Sequence, residues 1–357
     1  DQTALAIDHQ RILAIGSDTE ILHLGAPGVV PFNLGGRFVM PGLTDSHIHL
    51  ELYALSLSMV DCATSSRAEC LDRVRSRVQE TPPGEWIRGH GWNQNLWYGG
   101  FGTASELDTV APAHPVYLTD MSLHCAWANS LALEMAGIDG NTPDPAGGTI
   151  QRGAAGDPTG ILFENAVNLV EKIIPPLSSP RLKQSLLAAQ QKLHRFGITA
   201  VHDFDRIPCF SALQELDQEG ELTLRVSKGL PVEQLREAVS LGLRSGFGSP
   251  HLHIGSVKMF ADGALGPQTA AMLMPYEGDD TNRGTLLLTA EDILECGRLA
   301  STNGLPLAVH AIGDLATQEV LEGFAMLRAY EEEHDLPRLQ HRIEHLQLLS
   351  PQNLEKA

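Results

Sequence analysis

A parallel β/α barrel is the fold this sequence predicts, and three observations carry the prediction. From Ser179 onward, amphipathic stretches of helical length alternate with short apolar runs, the pattern of a parallel sheet covered by helices. An apolar run beginning near Phe38 ends in Pro41-Gly42-Leu43-Thr44-Asp45-Ser46-His47-Ile48-His49. Residues two apart in a strand share a face, so His47 and His49 can meet one ion. Two more histidines close later apolar runs, His310 after Leu307-Ala308-Val309 and His345 after Arg342-Ile343-Glu344. Four imidazoles at the C-terminal ends of three strands describe a metal site at a barrel mouth, and the chemistry this implies is metal-assisted hydrolysis.

Leu5-Ala6-Ile7 and Arg11 to Gly16 read as two short strands across a polar turn, with more strand-like residues at 29–33. Residues 1–40 are therefore expected to be part of a small β domain, and 41–357 the barrel. Between the first and second barrel strands lies a long insertion, 52–178. It opens with a helix capped by Ser66-x-x-Glu69, turns at Thr81-Pro82-Pro83-Gly84, and continues through a segment rich in Trp, Gly and Asn (Trp86, Trp92, Asn93, Trp97). A connection this long over the C-terminal face of a barrel usually carries function, so it is expected to be a substrate lid.

The barrel resumes with a helix that starts at Ser179-Pro180 and stops before Gly197, using a proline in the first turn and a glycine after the last. Strands are expected at 198–202, 222–228 and 252–260, then at the runs ending in His310 and His345, with helices at 210–218, 232–244, 291–303 and 315–332. The chain stops at Ala357, so the barrel is expected to be truncated after about six strands.

Composition bounds the function. At 357 residues, 43% hydrophobic and 19% charged, the chain can bury a large core. Its net charge of −19, with no cluster of Lys or Arg to offset it, argues against nucleic acid and anionic membrane partners. The five cysteines are widely spaced without a C-x-x-C pair, which reads as free thiols in a reducing, cytoplasmic setting. No apolar run reaches eighteen residues and no signal-peptide pattern is visible. The expected partner is a small-molecule substrate, and a homo-oligomer is compatible with the sequence.

Each candidate is weighed against a simpler role. A lone strand-end histidine is more often structural, but two at i and i+2 joined by two on separate strands favour ligation. His251-x-His253 repeats the spacing at the start of a strand, far from the mouth, and reads as structural. Lys258 lies inside the strand Gly255-Ser256-Val257-Lys258-Met259-Phe260, where a charge needs a partner. It can bind a cation only as the neutral amine or after reaction with CO2 to an anionic carbamate; the alternative is a salt bridge to Asp203 or Asp262. Asp314 reads as the N-cap of the following helix, and Glu164 either as a carboxylate at a helix start or as a substrate contact.

These residues resemble the amidohydrolase superfamily and, within it, the YtcJ-like group that includes N-substituted formamide deformylase. The resemblance covers nearly the whole chain. It rests on the Pro41 to His49 motif, on Gly91-Trp92-Asn93 with Trp97, on His124 with Asn129-Ser130, and on Pro158 to Glu164. Lys258 to Gly266, His310-Ala311-Ile312-Gly313-Asp314 and Arg342-Ile343-Glu344-His345 complete it. It implies a hydrolase of non-peptide C–N bonds with one or two divalent metals, zinc foremost, held by His47, His49, His310 and His345. Lys258, with or without carboxylation, would bridge them. It also implies a catalytic aspartate after an eighth strand, which would fall beyond Ala357, so no catalytic residue is assigned within the chain. Glu164, Asp262, His124, Trp92 and Gln268 are the candidate substrate contacts. Pro267-Gln268 stands where the group usually has Ser-Arg, and losing that fork implies a less anionic substrate. The alternatives are a metal-binding but inactive fragment, or a lactonase or phosphoester hydrolase on the same scaffold.

Overall fold

The computed structural model describes all residues except 1, 9–10, 26–28, 122–124, 146, 266–267, 279 and 355–357. The chain divides into two compact units, Asp1–Pro41 and Gly42–Ala357. In the first, β1 (Ala4–Asp8) and β2 (Arg11–Gly16) pair antiparallel. Helix α1 (Asp18–His23) comes next, its first turn closed by a reciprocal capping box between Ser17 and Glu20. The described residues at 29–33 form no strand, contrary to the expectation from their residue types.

The second unit opens with β3 (Leu43–Ile48) and α2 (Leu50–Ser58). The insertion after α2 is not a lid-like loop but a second sheet with its own core. Its strands are β4 (Val60–Asp61), β5 (Ile87–Trp92), β6 (Val116–Asp120), β7 (Cys125–Ala128), β8 (Gly148–Arg152) and β9 (Pro158–Glu164), in the order β4-β5-β6-β7-β9-β8. The first three are parallel and the later pairs antiparallel. Helices α3 (Arg67–Glu80), α4 (Ala104–Val110), α5 (Ser130–Met135) and α6 (Val167–Glu171) accompany it. The aromatic residues that suggested a lid surface pack inward instead: Trp92, Trp97 and Trp127 stand 5.8 and 5.9 Å apart, ring to ring, in one buried cluster. Gly102 is required there, because a Cβ would come within 2.3 Å of the Trp127 ring.

The barrel then runs through α7 (Ser179–Arg195), β10 (Ile198–Asp203), α8 (Ile207–Gln218), β11 (Arg225–Pro231), α9 (Leu235–Ser240) and β12 (Leu252–Phe260). It ends with α10 (Ala290–Thr302), β13 (Leu307–Ala311), α11 (Asp314–Glu333) and β14 (Arg342–His345). All six strands are parallel, in the order β14-β13-β12-β11-β10-β3. Apolar residues on the outer face of the sheet pack against the helices, as Leu186, Leu193 and Leu213 do around Val201 and Val226. Gly197 ends the α7 region with φ of 78°, the left-handed turn expected from sequence. Three elements differ most from expectation, α8 among them, which begins three residues early at Ile207. Strand β11 begins three residues later than the apolar run, and α9 is a short piece after a single 3-10 turn at Val232–Gln234.

The sheet is nearly closed. Its end strands, β14 and β3, meet through side chains: Arg342 Nη2 donates to Ser46 O at 2.7 Å, and Glu344 Oε2 lies 2.6 Å from His47 Nδ1. In-register pairs Phe260–His310 and Ala311–His345 bring the C-terminal ends of β12, β13 and β14 to one level.

Candidate metal centre

Strand alternation turns His47 toward the mouth, and His49 falls one residue past β3, at the N-cap position of α2. With His310 on β13 and His345 at the end of β14, they form a continuous run of imidazoles. Ring centroids are 5.6 Å apart for His49–His47, 4.8 Å for His47–His345 and 4.6 Å for His345–His310. Lys258 of β12 joins them. It is 4% exposed, and its Nζ has no hydrogen-bond partner among the described residues. Two aromatic rings flank that atom, Phe260 at 4.5 Å and Phe204 at 5.2 Å.

Electrostatics disfavour the charged form of Lys258, His310 and His345. Burial is the main cause in each case. It pushes Lys258 down to about 8, with Glu344 opposing and Arg342 adding to the effect. It pushes His345 down to about 4, helped by His310 and His47, and it lowers His310. Neutral imidazoles are electron-pair donors, the form a cation requires. Hydrogen bonds then select which nitrogen is free. His310 Nε2 donates to Gly263 O at 2.8 Å, leaving Nδ1. His49 Nδ1 lies 3.2 Å from Asp205 Oδ1. The backbone is unusual at the same place: His345 and Leu346 have φ of 73° and 47°, conformations that side chains other than glycine adopt at a cost of roughly 1–3 kcal/mol each.

The expected partners of Lys258 are engaged elsewhere. Asp203 pairs with Lys228, Nζ to Oδ2 at 2.6 Å, and both are sealed from solvent. Asp262 is a structural carboxylate: it accepts from the backbone amides of Ala271, Ile312 and Gly313 at 2.9, 3.0 and 2.7 Å, and is 2% exposed. It ties the loop after β12 to the start of α11 rather than facing a substrate. Asp314 is the first residue of α11, whose N-cap is Gly313; its Oδ1 accepts from Leu273 N at 2.8 Å.

The other candidates differ in exposure. Trp92 is fully buried in the second sheet, its Nε1 donating to Leu118 O at 2.8 Å, so it offers no surface to a substrate. Glu164 ends β9, exposed and with φ of 50°. Gln268 is exposed with φ of 55°, its side chain and carbonyl accepting from Asn282 Nδ2. His124 lies outside the described residues. His253 sits near the start of β12, half-buried, as its position predicted.

Several residues of the mouth were not singled out from sequence: Phe204, Asp205, Phe260, Arg342 and Glu344. The available signal was adjacency, since Glu344 precedes His345 and Phe204-Asp205 come directly after a barrel strand. Asp203, Asp205 and Cys209 also place ligand-type atoms within 4.8 Å of one another. The Lys228 ammonium already supplies the cation there, donating to Asp203 Oδ2 and Asp205 O.

A nearly closed parallel barrel with histidines and a buried lysine gathered at the strand ends defines a class of barrel proteins with a donor-lined mouth. This chain belongs to the Amidohydrolase family, whose profile matches residues 32–357. It is 34% identical to Protein LONG AFTER FAR-RED 3 of Arabidopsis thaliana, over 98% of the chain and 61% of that protein. It is 33% identical to the putative amidohydrolase YtcJ of Bacillus subtilis, over 93% of the chain and 63% of that protein. N-substituted formamide deformylase of Arthrobacter pascens is 29% identical, over 95% and 65% respectively. The chain thus spans less than two thirds of the length of these three relatives. A crystal structure of an uncharacterized metal-dependent hydrolase from Pyrococcus furiosus superposes with a TM-score of 0.79 at 31% identity, covering 99% of this chain and 70% of that one.

Proposed function

We propose that this chain carries the metal centre of a hydrolase that cleaves non-peptide C–N bonds, amide or formamide-like, in a small molecule. One observation carries the reading: the Lys258 amine, buried beside four imidazoles without a hydrogen-bond partner among the described residues. A buried amine left unsatisfied costs about 1–3 kcal/mol unless something bonds to it. An ion on the neutral amine, or a carbamate formed on it, would supply that bond. The donor set fits the group. His47 and His49 would hold one divalent ion, zinc being the natural choice for imidazole ligands, and His310 and His345 a second or shared one. When bound, such an ion acidifies water and polarises a carbonyl.

The chain's own residues shape the rest. Phe204 stacks on His47 at 4.5 Å between centroids and Phe260 lies against His310 at 5.2 Å, so two apolar rings restrict water around the donors. Phe260, 48% exposed, offers a substrate an apolar wall beside them. Asp262 has both oxygens committed to backbone amides and is not assigned the proton transfer to the leaving amine. The kinship with a formamide deformylase supports the bond type. Free cysteines support a reducing, cytoplasmic setting, and no helix among the described residues is long and apolar enough to cross a membrane.

The test is hydrolysis of a panel of N-substituted formamides, cyclic amides and matched esters by zinc-loaded protein, with and without any sequence downstream of Ala357. Amide turnover supports the reading. Preference for an ester over its matched amide would favour a lactonase-type reaction, and absence of zinc uptake would remove the metal centre.

A further inference from the structure

Two side chains cross the junction where the sheet's two ends meet. Arg342 and Glu344 reach from β14 to β3. The guanidinium donates from Nη2 to Ser46 O at 2.7 Å and to Glu344 Oε2 at 3.0 Å, and from Nη1 to His202 Nδ1 at 2.5 Å; Glu344 Oε1 lies 2.8 Å from Nη2 as an ion pair, without a hydrogen bond among the described residues. The same oxygen, Glu344 Oε2, also lies 2.6 Å from His47 Nδ1. Glu344 is 4% exposed, so its charge needs these partners. No backbone ladder joins β14 to β3 among the described residues, because they are the first and last strands of the sheet. The separation between the His47–His49 pair and the His310–His345 pair is therefore set by these side chains at the junction.

The contact also fixes a proton. A carboxylate only accepts, so the imidazole proton of a neutral His47 sits on Nδ1, pointing at Glu344, and the lone pair is on Nε2. Phe204, stacked at 29° to the His47 ring, holds its plane. Ring orientation, tautomer and distance to the opposite ligands then all depend on one carboxylate that is not itself among the proposed donors.

We propose that Glu344 is a positioning residue of the metal centre: clamped by Arg342 across the junction between β14 and β3, it presents His47 Nε2 to the ion. This rests on the metal reading above. Outer partners of ligating histidines are worth about ten- to hundredfold in metal affinity, and that is the effect expected of Glu344→Gln, which keeps an acceptor oxygen but loses the charge.

The experiment strips the full chain of metal and titrates it with zinc against a chromophoric chelator, for wild type and Glu344→Gln. In parallel, nitrogen-15 NMR of histidine-labelled, metal-free wild type reports the His47 tautomer, the resonance being identified by its loss in His47→Asn. The expected results are an Nδ1-protonated His47 and zinc binding weakened about ten- to hundredfold in folded Glu344→Gln. An Nε2-protonated His47 in wild type overturns the proposal, whether or not Glu344→Gln folds. So does zinc affinity in the folded variant within twofold of wild type. Wild type that takes up no zinc overturns the metal reading itself, and this inference with it; wild type that binds, with a variant that binds equally well, overturns the inference alone.

Discussion

Lys228 and Asp203 form a buried ion pair of the barrel, 2.6 Å apart, with side chains 2% and 0% exposed. The pair braces the mouth from beneath: Asp203 Oδ1 accepts from Leu50 N at 3.0 Å, and Asp205 takes His49 on one oxygen and Glu51 N on the other. Removing one partner of such a pair strands the other charge. Lys228→Met is expected to cost about 3–5 kcal/mol, read from urea unfolding at pH 7. Adding Asp203→Asn to it should restore part of the loss. A single variant within about 1 kcal/mol of wild type would show that the pair carries no such weight.

Lys258 predicts effects of opposite sign. Lys258→Met replaces an amine lacking a hydrogen-bond partner with an apolar group of similar shape. Metal-free protein should gain about 1–3 kcal/mol while zinc-dependent hydrolysis is lost. Thermal scans without metal, beside assays with it, check both. A destabilised variant would mean that the amine is satisfied in the resting protein.

Acid sensitivity arises from a second buried group, away from the mouth. Burial pushes the Glu331 carboxyl up, but hydrogen bonds involving Ser301, His341 and Arg328 outweigh it and hold the group below its ordinary value. His341 is lowered as well, by burial first, against the raising effect of Glu331. Both folded-state values are depressed, so both groups contribute stability that is present above their unfolded values, about 6.5 for His and 4.3 for Glu. That stability is lost as pH falls through the folded ones. Glu331→Gln should therefore be clearly less stable than wild type at pH 7, with the gap shrinking toward pH 3. Urea midpoints at both pH values test this, and a gap that widens on acidification would contradict it.

Trp92 separates the two sheets experimentally. Trp92→Ala should cost about 3–5 kcal/mol through the cavity it leaves, with zinc stoichiometry of the folded fraction unchanged. A substrate contact would behave in the reverse way, with stability kept and KM raised.

The barrel was legible from Ser179 on because proline, glycine and apolar period agree there with the final structure, as Pro180 and Gly197 at the two ends of α7 illustrate. The four histidines were legible because strand-end position and i, i+2 spacing are local properties. The second sheet was not. Its strands are short, partly antiparallel, and joined by Trp92, Trp97 and Trp127, whose mutual burial no sequence period encodes. Nor could sequence tell which lysine would take Asp203, since Lys228 and Lys258 both point inward and only the register of β10 against β11 decides. Glu344 defeats the alternation rule outright. It should face away from its neighbour His345, yet the curl of the sheet brings it to His47 while His345, at φ of 73°, rejoins the same cluster.

His47 and His345 touch across nearly the full length of the chain. During synthesis the first pair of imidazoles leaves the ribosome long before β14 exists. Non-local contacts of this kind form late and slowly. On the proposed metal reading, loading of all four imidazoles is therefore coupled to docking of β14, and an ion held by the four rings would report that docking.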